Sequence, residues 1–457
     1  MDTKWLPTLA TGGRSKYRAL SDSIRNGIAN GDLRGGQKLP PVRDLAFRLQ
    51  VTPGTVARAY SILVEEGVLR AGVGRGTFVA EPKAAVRAPS WPQTISMQSP
   101  VLADVGQSMM IREALAHVST DIDDDALMQL PSRARNFGAR QAFRKWMADA
   151  PVGAFTEENV VITHGAQNAI LHILMTVLTG PSPVVLVDEL SFPGFRRAAE
   201  LCRAQVIGVP WDEEGPCVDT LTRLARETGA QIYCTSAEVG NPTTQCTTAA
   251  RRREVAAVAN RFGMHVIDDD CYRNGIHQAE SYRVLLPELG WYVTSPSKSI
   301  SPALRIGFAI APRGFAGAIT RGLQYSHFGV ATPLCDLYTH VMNNPKLPTV
   351  LCAMRQRMNE DVRIAVNHLG GHKVRWRQDV SILWLELPER WRVGPFAQAA
   401  EAAGVLIKPA DEFVLRDGRA VHAVRLAVNG QIAQERFEEG IVILQNLLDN
   451  PPRSFTG

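Results

Sequence analysis

Lys298 lies in the run Thr294-Ser295-Pro296-Ser297-Lys298-Ser299, with Arg305 seven residues beyond it. A lysine amine condenses with an aldehyde to give a Schiff base. Serine hydroxyls and a guanidinium can hold a phosphate dianion beside it. Upstream, Val266-Ile267 leads into Asp268-Asp269-Asp270-Cys271-Tyr272. A buried carboxylate there can pair with a pyridinium nitrogen and keep it protonated, and the phenol can bond the oxygen on the same ring. The run by itself leaves the choice among Asp268, Asp269 and Asp270 open.

Such residues need elements to hold them. Apolar runs of strand length occur at 160–163, 184–187, 205–209, 232–235, 265–268, 291–295 and 307–311. Helical stretches lie between them at 167–178, 195–202, 218–228 and 249–262. That order predicts an α/β sheet covered by helices on both faces, with ligands at the carboxyl ends of strands. Lys298, the aspartates and Tyr272 fall at such ends. A lone strand-end lysine is usually a solvated side chain, and a lone acidic run is usually a polar loop. It is the set, in this order, that carries the reading.

The first 80 residues have another character. They hold twelve basic and six acidic residues, a balance of +6, while the other 377 carry −1 of the chain's net +5. Residues 16–30 predict a helix with Tyr17, Leu20, Ile24 and Ile28 inward. Pro41 to Leu49 predicts a short second helix buried through Leu45, Ala46 and Leu49. Thr52 reads as the cap and Pro53 as the first residue of a third helix, with Val56, Ala59, Tyr60 and Leu63 inward. Leu69 to Val79 alternates around Gly72, Gly74 and Gly76 and predicts a hairpin with Arg75 at its tip. Three helices and a hairpin make a winged helix-turn-helix. Its third helix would enter the major groove of DNA and its wing the adjacent minor groove. Residues 81–107, with Pro82, Pro89, Pro92 and Pro100, predict a semi-extended linker. The expected organisation is a winged helix-turn-helix at 12–80, a linker at 81–107 and an α/β body at 108–457.

Residues 16–80 resemble the GntR family of bacterial transcription regulators. The likeness rests on Lys38-Leu39-Pro40-Pro41-Val42-Arg43-Asp44-Leu45-Ala46, Thr55-Val56, Ala59-Tyr60, Glu66-Gly67 and Gly74-Arg75-Gly76-Thr77-Phe78-Val79. It implies DNA contacts from Arg43, Thr55, Arg58 and Arg75. Pro53 stands where that family usually has an arginine.

Residues 108–450 are similar to the fold-type I pyridoxal-phosphate enzymes of the aspartate aminotransferase group. By that resemblance Lys298 is the aldimine lysine, and Ser295, Ser297 and Arg305 are phosphate ligands. The amides at Ala166 and Gln167 complete the phosphate cradle at a helix start. Asp269 becomes the partner of the pyridine nitrogen, because its spacing of three to Tyr272 fits the family. Tyr272 and Asn241, in Asn241-Pro242-Thr243, become partners of the ring oxygen. Phe192 lies where a tyrosine usually stacks on the ring, and Arg425 matches the arginine that clamps a substrate carboxylate. Thr244 replaces the usual glycine after Asn-Pro-Thr, and Phe192 lacks the hydroxyl.

The two modules in this order resemble the MocR subfamily of GntR regulators. The implied function is a pyridoxal-phosphate-dependent transcriptional regulator of double-stranded DNA operators. It would work as a homodimer and sense an amino acid, another small amino compound or a B6 vitamer through aldimine chemistry at Lys298, with little or no turnover. The alternatives are an active aminotransferase with an accessory DNA-binding end, and a body that has lost its cofactor and only dimerises. The chain has no run of about 18 apolar residues. Its seven scattered cysteines, with no C-x-x-C pair, fit reduced thiols and give no metal site. A bacterial cytoplasmic location, on the nucleoid through DNA, is therefore expected.

Overall fold

The computed structural model describes residues 5–7, 16–30, 32–33, 35–66, 68–72, 76–79, 94–415, 418 and 421–451. They fall into two compact units, divided between Gln93 and Thr94.

In the first unit the helices are α1 (Lys16–Ala29), α2 (Val42–Arg48) and α3 (Pro53–Glu65). Leu20, Ile24, Leu45, Val56, Ala59 and Leu63 meet in one core, with Tyr17, Ile28 and Leu49 at its margin. The Thr52 hydroxyl accepts the Thr55 amide at 3.3 Å, and Pro53 opens α3, so the helix starts where its cap and its pre-set φ place it. The Tyr60 hydroxyl donates to the Pro40 carbonyl at 3.0 Å, tying α3 to the entry of α2. Strands Leu69–Gly72 and Gly76–Val79 pair antiparallel as a wing, with Leu69 opposite Val79. The expected tip residue, Arg75, lies outside the described residues.

The second unit is built on a seven-stranded sheet. Its order across is Val160–Thr163, Gly307–Ile310, Gly290–Thr294, His265–Asp269, Ile232–Thr235, Val184–Asp188 and Gln205–Val209. Only Gly307–Ile310 runs antiparallel to its neighbours. Alternation splits each strand between two cores. Val185 and Val187 join Ala169, Ile173 and Phe195, whereas Val184 and Leu186 join Leu221, Val255 and Ala259. Burial on both faces is why these strands read as continuous apolar runs.

A second, four-stranded antiparallel sheet was not foreseen from sequence. It orders Val374–Arg375, Ile382–Glu386, Ala423–Ala427 and Lys408–Pro409. Helices Leu347–Leu369 and Gln434–Asp449 cover one face, where Val424 and Leu426 meet Met358, Val362, Phe437 and Ile441. The sheet's two outer strands, of two residues each, leave little pattern to read.

The expected linker is shorter at its C-terminal side. Residues 80–93 lie outside the described residues, but 94–107 pack into the second unit. Ile95-Ser96 pairs parallel with Val405-Leu406, and Ile95 and Met97 are buried. Proline-rich composition hid a segment held both by backbone pairing and by the buried Ile95 and Met97 side chains.

Candidate cofactor and effector site

Parallel strands bring their carboxyl ends to one edge of the large sheet. There the register pairs Thr294 with Phe308 and Gly307 with Thr163, which sets Ser295, Gly307 and Thr163 side by side, with His164 next in the chain. Helix Ala166–Val177 begins at this edge with Gly165 at φ +88° and no side-chain cap. Its first amides are left without intrahelical acceptors. Arg305, itself at φ +43°, donates to the His164 carbonyl at 3.3 Å. Gly307 makes this approach possible. A Cβ there would lie 2.5 Å from the Gly165 carbonyl carbon and 2.7 Å from the Ala166 nitrogen. Sequence reading had passed over Gly307.

The Ser295 and Ser297 hydroxyls lie 2.6 Å apart, and Ser295 Oγ accepts the Ser297 amide at 3.1 Å. Lys298 closes the same short turn, Pro296–Lys298. Its Nζ donates to the Pro100 carbonyl at 3.2 Å and stands 5.8 Å from the centre of the Tyr272 ring. Burial, reinforced by the Arg425 charge, pushes the amine below the ordinary lysine range.

The three aspartates separate by strand parity. Asp268 accepts the Ala237 and Tyr282 amides, each at 3.3 Å. Asp270 binds Arg273 at 2.7 Å, together with Tyr292 and His277. Asp269 points to the other face, is buried, and its Oδ1 has no hydrogen-bond partner among the described residues. Desolvation raises Asp269 to about 6, opposed by bonding from Cys271.

Arg425 sits mid-strand in Ala423–Ala427, on the face away from the small sheet's apolar core. It is 2% exposed. Its guanidinium stacks 4.8 Å from the Phe413 ring centre and donates to Asn241 Oδ1 at 2.8 Å and to the Gln98 carbonyl. Arg425 Nε and Asn241 Nδ2 remain unpartnered among the described residues. Burial raises the Tyr272 phenol, and Arg425 beside it opposes the rise.

The Asn241 turn explains an expected departure. Thr244 has φ +63°, a left-handed conformation that suits glycine, and is fully buried with its hydroxyl unpartnered. The turn is held from outside. Arg377 donates to the Glu238 and Thr244 carbonyls, and buried Arg252 pairs with Glu238 at 2.7 Å. Phe192 precedes helix Pro193–Leu201 and meets Phe195 edge-on at 5.9 Å between ring centres. Gln167 ties that helix start to the cradle through the Gly194 carbonyl at 2.9 Å, a side-chain contact the sequence did not reveal.

In the first unit Arg43 and Arg58 are exposed, on α2 and α3. The Arg58 guanidinium lies 4.4 Å over the Tyr17 ring, and the half-buried Thr55 shares its hydroxyl with Thr52 at 2.9 Å. Both side chains therefore have intramolecular partners on a surface expected to meet DNA.

A mostly parallel seven-stranded sheet, a small C-terminal sheet and a strand-end lysine define the fold-type I aminotransferase class. Residues 113–436 match aminotransferase class I and II, and the chain belongs to that family. Residues 16–79 match bacterial regulatory proteins, gntR family. The uncharacterized HTH-type transcriptional regulator YdeF of Bacillus subtilis (strain 168) is 25% identical over 98% of this chain and 97% of its own. The HTH-type pyridoxine biosynthesis transcriptional regulator PdxR of Corynebacterium glutamicum is 27% identical, covering 68% of this chain and 70% of that protein. The kynurenine aminotransferase of Pyrococcus horikoshii superposes with TM-score 0.71 at 19% identity, over 79% of this chain and 92% of that one. The protein has the MocR-type architecture: a transcriptional regulator with an aminotransferase-like domain. Its GntR domain implies DNA binding. Among the described residues no helix is long and apolar enough to cross a membrane.

Proposed function

We propose that this regulator holds pyridoxal 5'-phosphate at Lys298 and senses a small amino compound, an amino acid or a B6 vitamer there, altering its grip on a DNA operator. The observation that carries the reading is the unpartnered Asp269 Oδ1, buried near Tyr272, whose ring in turn stands close to Lys298 and Arg425. A carboxylate so placed suits the protonated ring nitrogen. The unpartnered Asn241 Nδ2 and the Tyr272 phenol suit the ring oxygen, and Phe192 offers a ring face. The Ser295–Ser297 pair, Arg305 and the Ala166 and Gln167 amides suit the phosphate, in the space that Gly165 and Gly307 leave. When bound, the cofactor supplies an aldehyde carbon that accepts either the lysine amine or the amine of an effector.

The chain's own part is to exchange bonds. The Gln98 carbonyl occupies Arg425, the group an effector's carboxylate would engage, and the Pro100 carbonyl accepts from Lys298, the amine that an effector's amine would displace from the cofactor. A carboxylate at Arg425 would compete with the Gln98 carbonyl and loosen residues 94–101, and the preceding residues lead to the DNA-binding unit. A homodimer fits the exposed apolar side chains Leu127, Met128, Leu130, Tyr325 and Phe328, and it would present two DNA-binding units to paired half-sites. A DNA-bound regulator of this kind would work in the bacterial cytoplasm.

The visible spectrum of the purified protein, titrated with amino acids, amines and B6 vitamers, tests the reading. Wild type should show a band that shifts with effector, and Lys298→Ala should lose it. No band in cofactor-supplemented wild type would favour a body kept only for dimerisation. Steady keto-acid release would favour an active aminotransferase.

A further inference from the structure

Arg140, on helix Phe137–Trp146, is 4% exposed and makes no hydrogen bond and no ion pair among the described residues. The Phe137 ring lies 5.7 Å from its guanidinium carbon. Two acids act on it through space, but each is engaged elsewhere. Glu158 binds Arg133 at 2.8 Å, and Glu157 binds Arg144 at 3.1 Å. Burial, and then the Arg133 charge, push the Arg140 guanidinium below its ordinary range. A buried charge without a counter-ion is destabilising, and a guanidinium keeps its proton rather than neutralise. Among the described residues three other arginines are buried, and each has partners. Arg252 pairs with Glu238 at 2.7 Å, Arg251 with Asp212 at 3.0 Å, and Arg425 bonds Asn241 at 2.8 Å.

Only the Nε of Arg140 is sealed from water. Nη1 and Nη2, the fork of the guanidinium, keep access, and Arg140 lines a cavity of about 60 Å³ together with Arg133, Phe328 and Gly329. Strand Val160–Thr163 and helix Ala316–His327 complete the walls. Phe328 and Gly329 both hold left-handed backbone, at φ +60° and +90°. Such strain in a bulky residue persists where the surroundings fix it, as at ligand clamps. The volume exceeds the need of one water and falls far short of the roughly 300–1,000 Å³ of small-molecule sites. It suits one carboxylate-sized group, which a single guanidinium grips by two parallel N–H bonds set by its own plane.

We propose that this cavity is an anion site, taking one carboxylate or an oxyanion of like size on the Arg140 fork. Two sources offer that group: a small free anion, or an Asp or Glu side chain of a second copy of the chain, since Phe328 in the cavity wall is 60% exposed and belongs to the apolar patch named above. The anion would tie helix Phe137–Trp146 to strand Val160–Thr163, which leads directly into His164 and Gly165 at the phosphate cradle.

Thermal melts of the full-length protein in formate and in gluconate at equal ionic strength test this, gluconate being too bulky to enter. With a free anion as the source, formate should raise Tm saturably, by about 2 °C at ten times its Kd, at any protein concentration. Arg140→Met should lose the rise, and Arg140→Lys should need at least about tenfold more formate, because an ammonium offers no fork. Arg425→Ala should keep the rise. With a second copy as the source, formate should leave Tm unchanged, and Arg140→Met should weaken self-association at least about tenfold in sedimentation, with circular dichroism intact. Should Arg140→Met fail to fold, Arg140→Lys decides both measurements. A formate response that survives the Arg140 variants, or wild type indifferent to formate with self-association unaltered by those variants, would overturn the proposal. Neither measurement reads the visible band at Lys298, so this site and that one stand or fall separately.

Discussion

In the first unit Arg43 and Arg58 are exposed, and Arg58 rests on Tyr17. In the second, Arg425 is 2% exposed and spends its donors on Asn241 and Gln98, and Asp269 is buried with one oxygen unpartnered. Exposed cations keep their hydration and act together on a long polyanion, so their effects sum and weaken with salt. Buried groups have lost water. Each must find a partner in the protein or in a ligand, so a few of them can define one small site. The +6 of the N-terminal end and the near-neutral body reflect these two ways of holding an anion.

The contrast can be broken from either side. Arg425→Ala should have the largest effect, weakening the spectral response to carboxylate-bearing effectors about 100-fold by removing a bidentate, buried, charge-assisted contact. Its operator affinity without effector, read by gel shift, should move toward the effector-bound value, because the Gln98 carbonyl has lost Arg425. Next comes Arg43→Ala/Arg58→Ala. It should bind operator at least about 30-fold more weakly and flatten the salt slope by about one per lost phosphate contact. The visible band should not change, and unaltered operator binding would refute this docking.

A smaller effect follows pH. Asp269 titrates at about 6 and must be ionised to hold a protonated ring nitrogen. Cofactor affinity should therefore be full above that value and fall by about tenfold per unit below it, one proton being taken up as cofactor leaves. Asp269→Asn should abolish the slope. Desolvation acts on folding with the opposite sense. A carboxyl raised from 3.8 to about 6 destabilises the cofactor-free fold as pH rises through that window. Thermal melts of cofactor-free protein should record this. The smallest effect is expected at Thr244→Gly, which relieves a left-handed β-branched residue and a buried hydroxyl at some cost in chain entropy. A gain of about 1 kcal/mol, or about 2 °C in Tm, is expected.

Much of this was readable in advance. All seven strands of the large sheet and four of its helices lie within a residue or two of their expected positions, since apolar runs and helical periods are local signals. The two outer strands of the second sheet, Val374–Arg375 and Lys408–Pro409, are too short to give such a signal, and the five-residue strands Ile382–Glu386 and Ala423–Ala427 were missed although they carry one. The functional motifs were local too, and their chain order pointed to the family.

The sequence by itself determined the two modules, their charge imbalance and the residue types of the site, because composition and periodicity are properties of short stretches. The spacing of Asp269 to Tyr272 favoured it by resemblance, but only the tertiary structure gave Asp268 and Asp270 their own protein partners. Parity puts the first on one face and the others opposite, but which face meets the lysine depends on packing from distant segments. The same holds for Pro100 and Gln98, which act through backbone carbonyls that every residue carries, and for Gly307, whose missing side chain matters only because Gly165 lies against it.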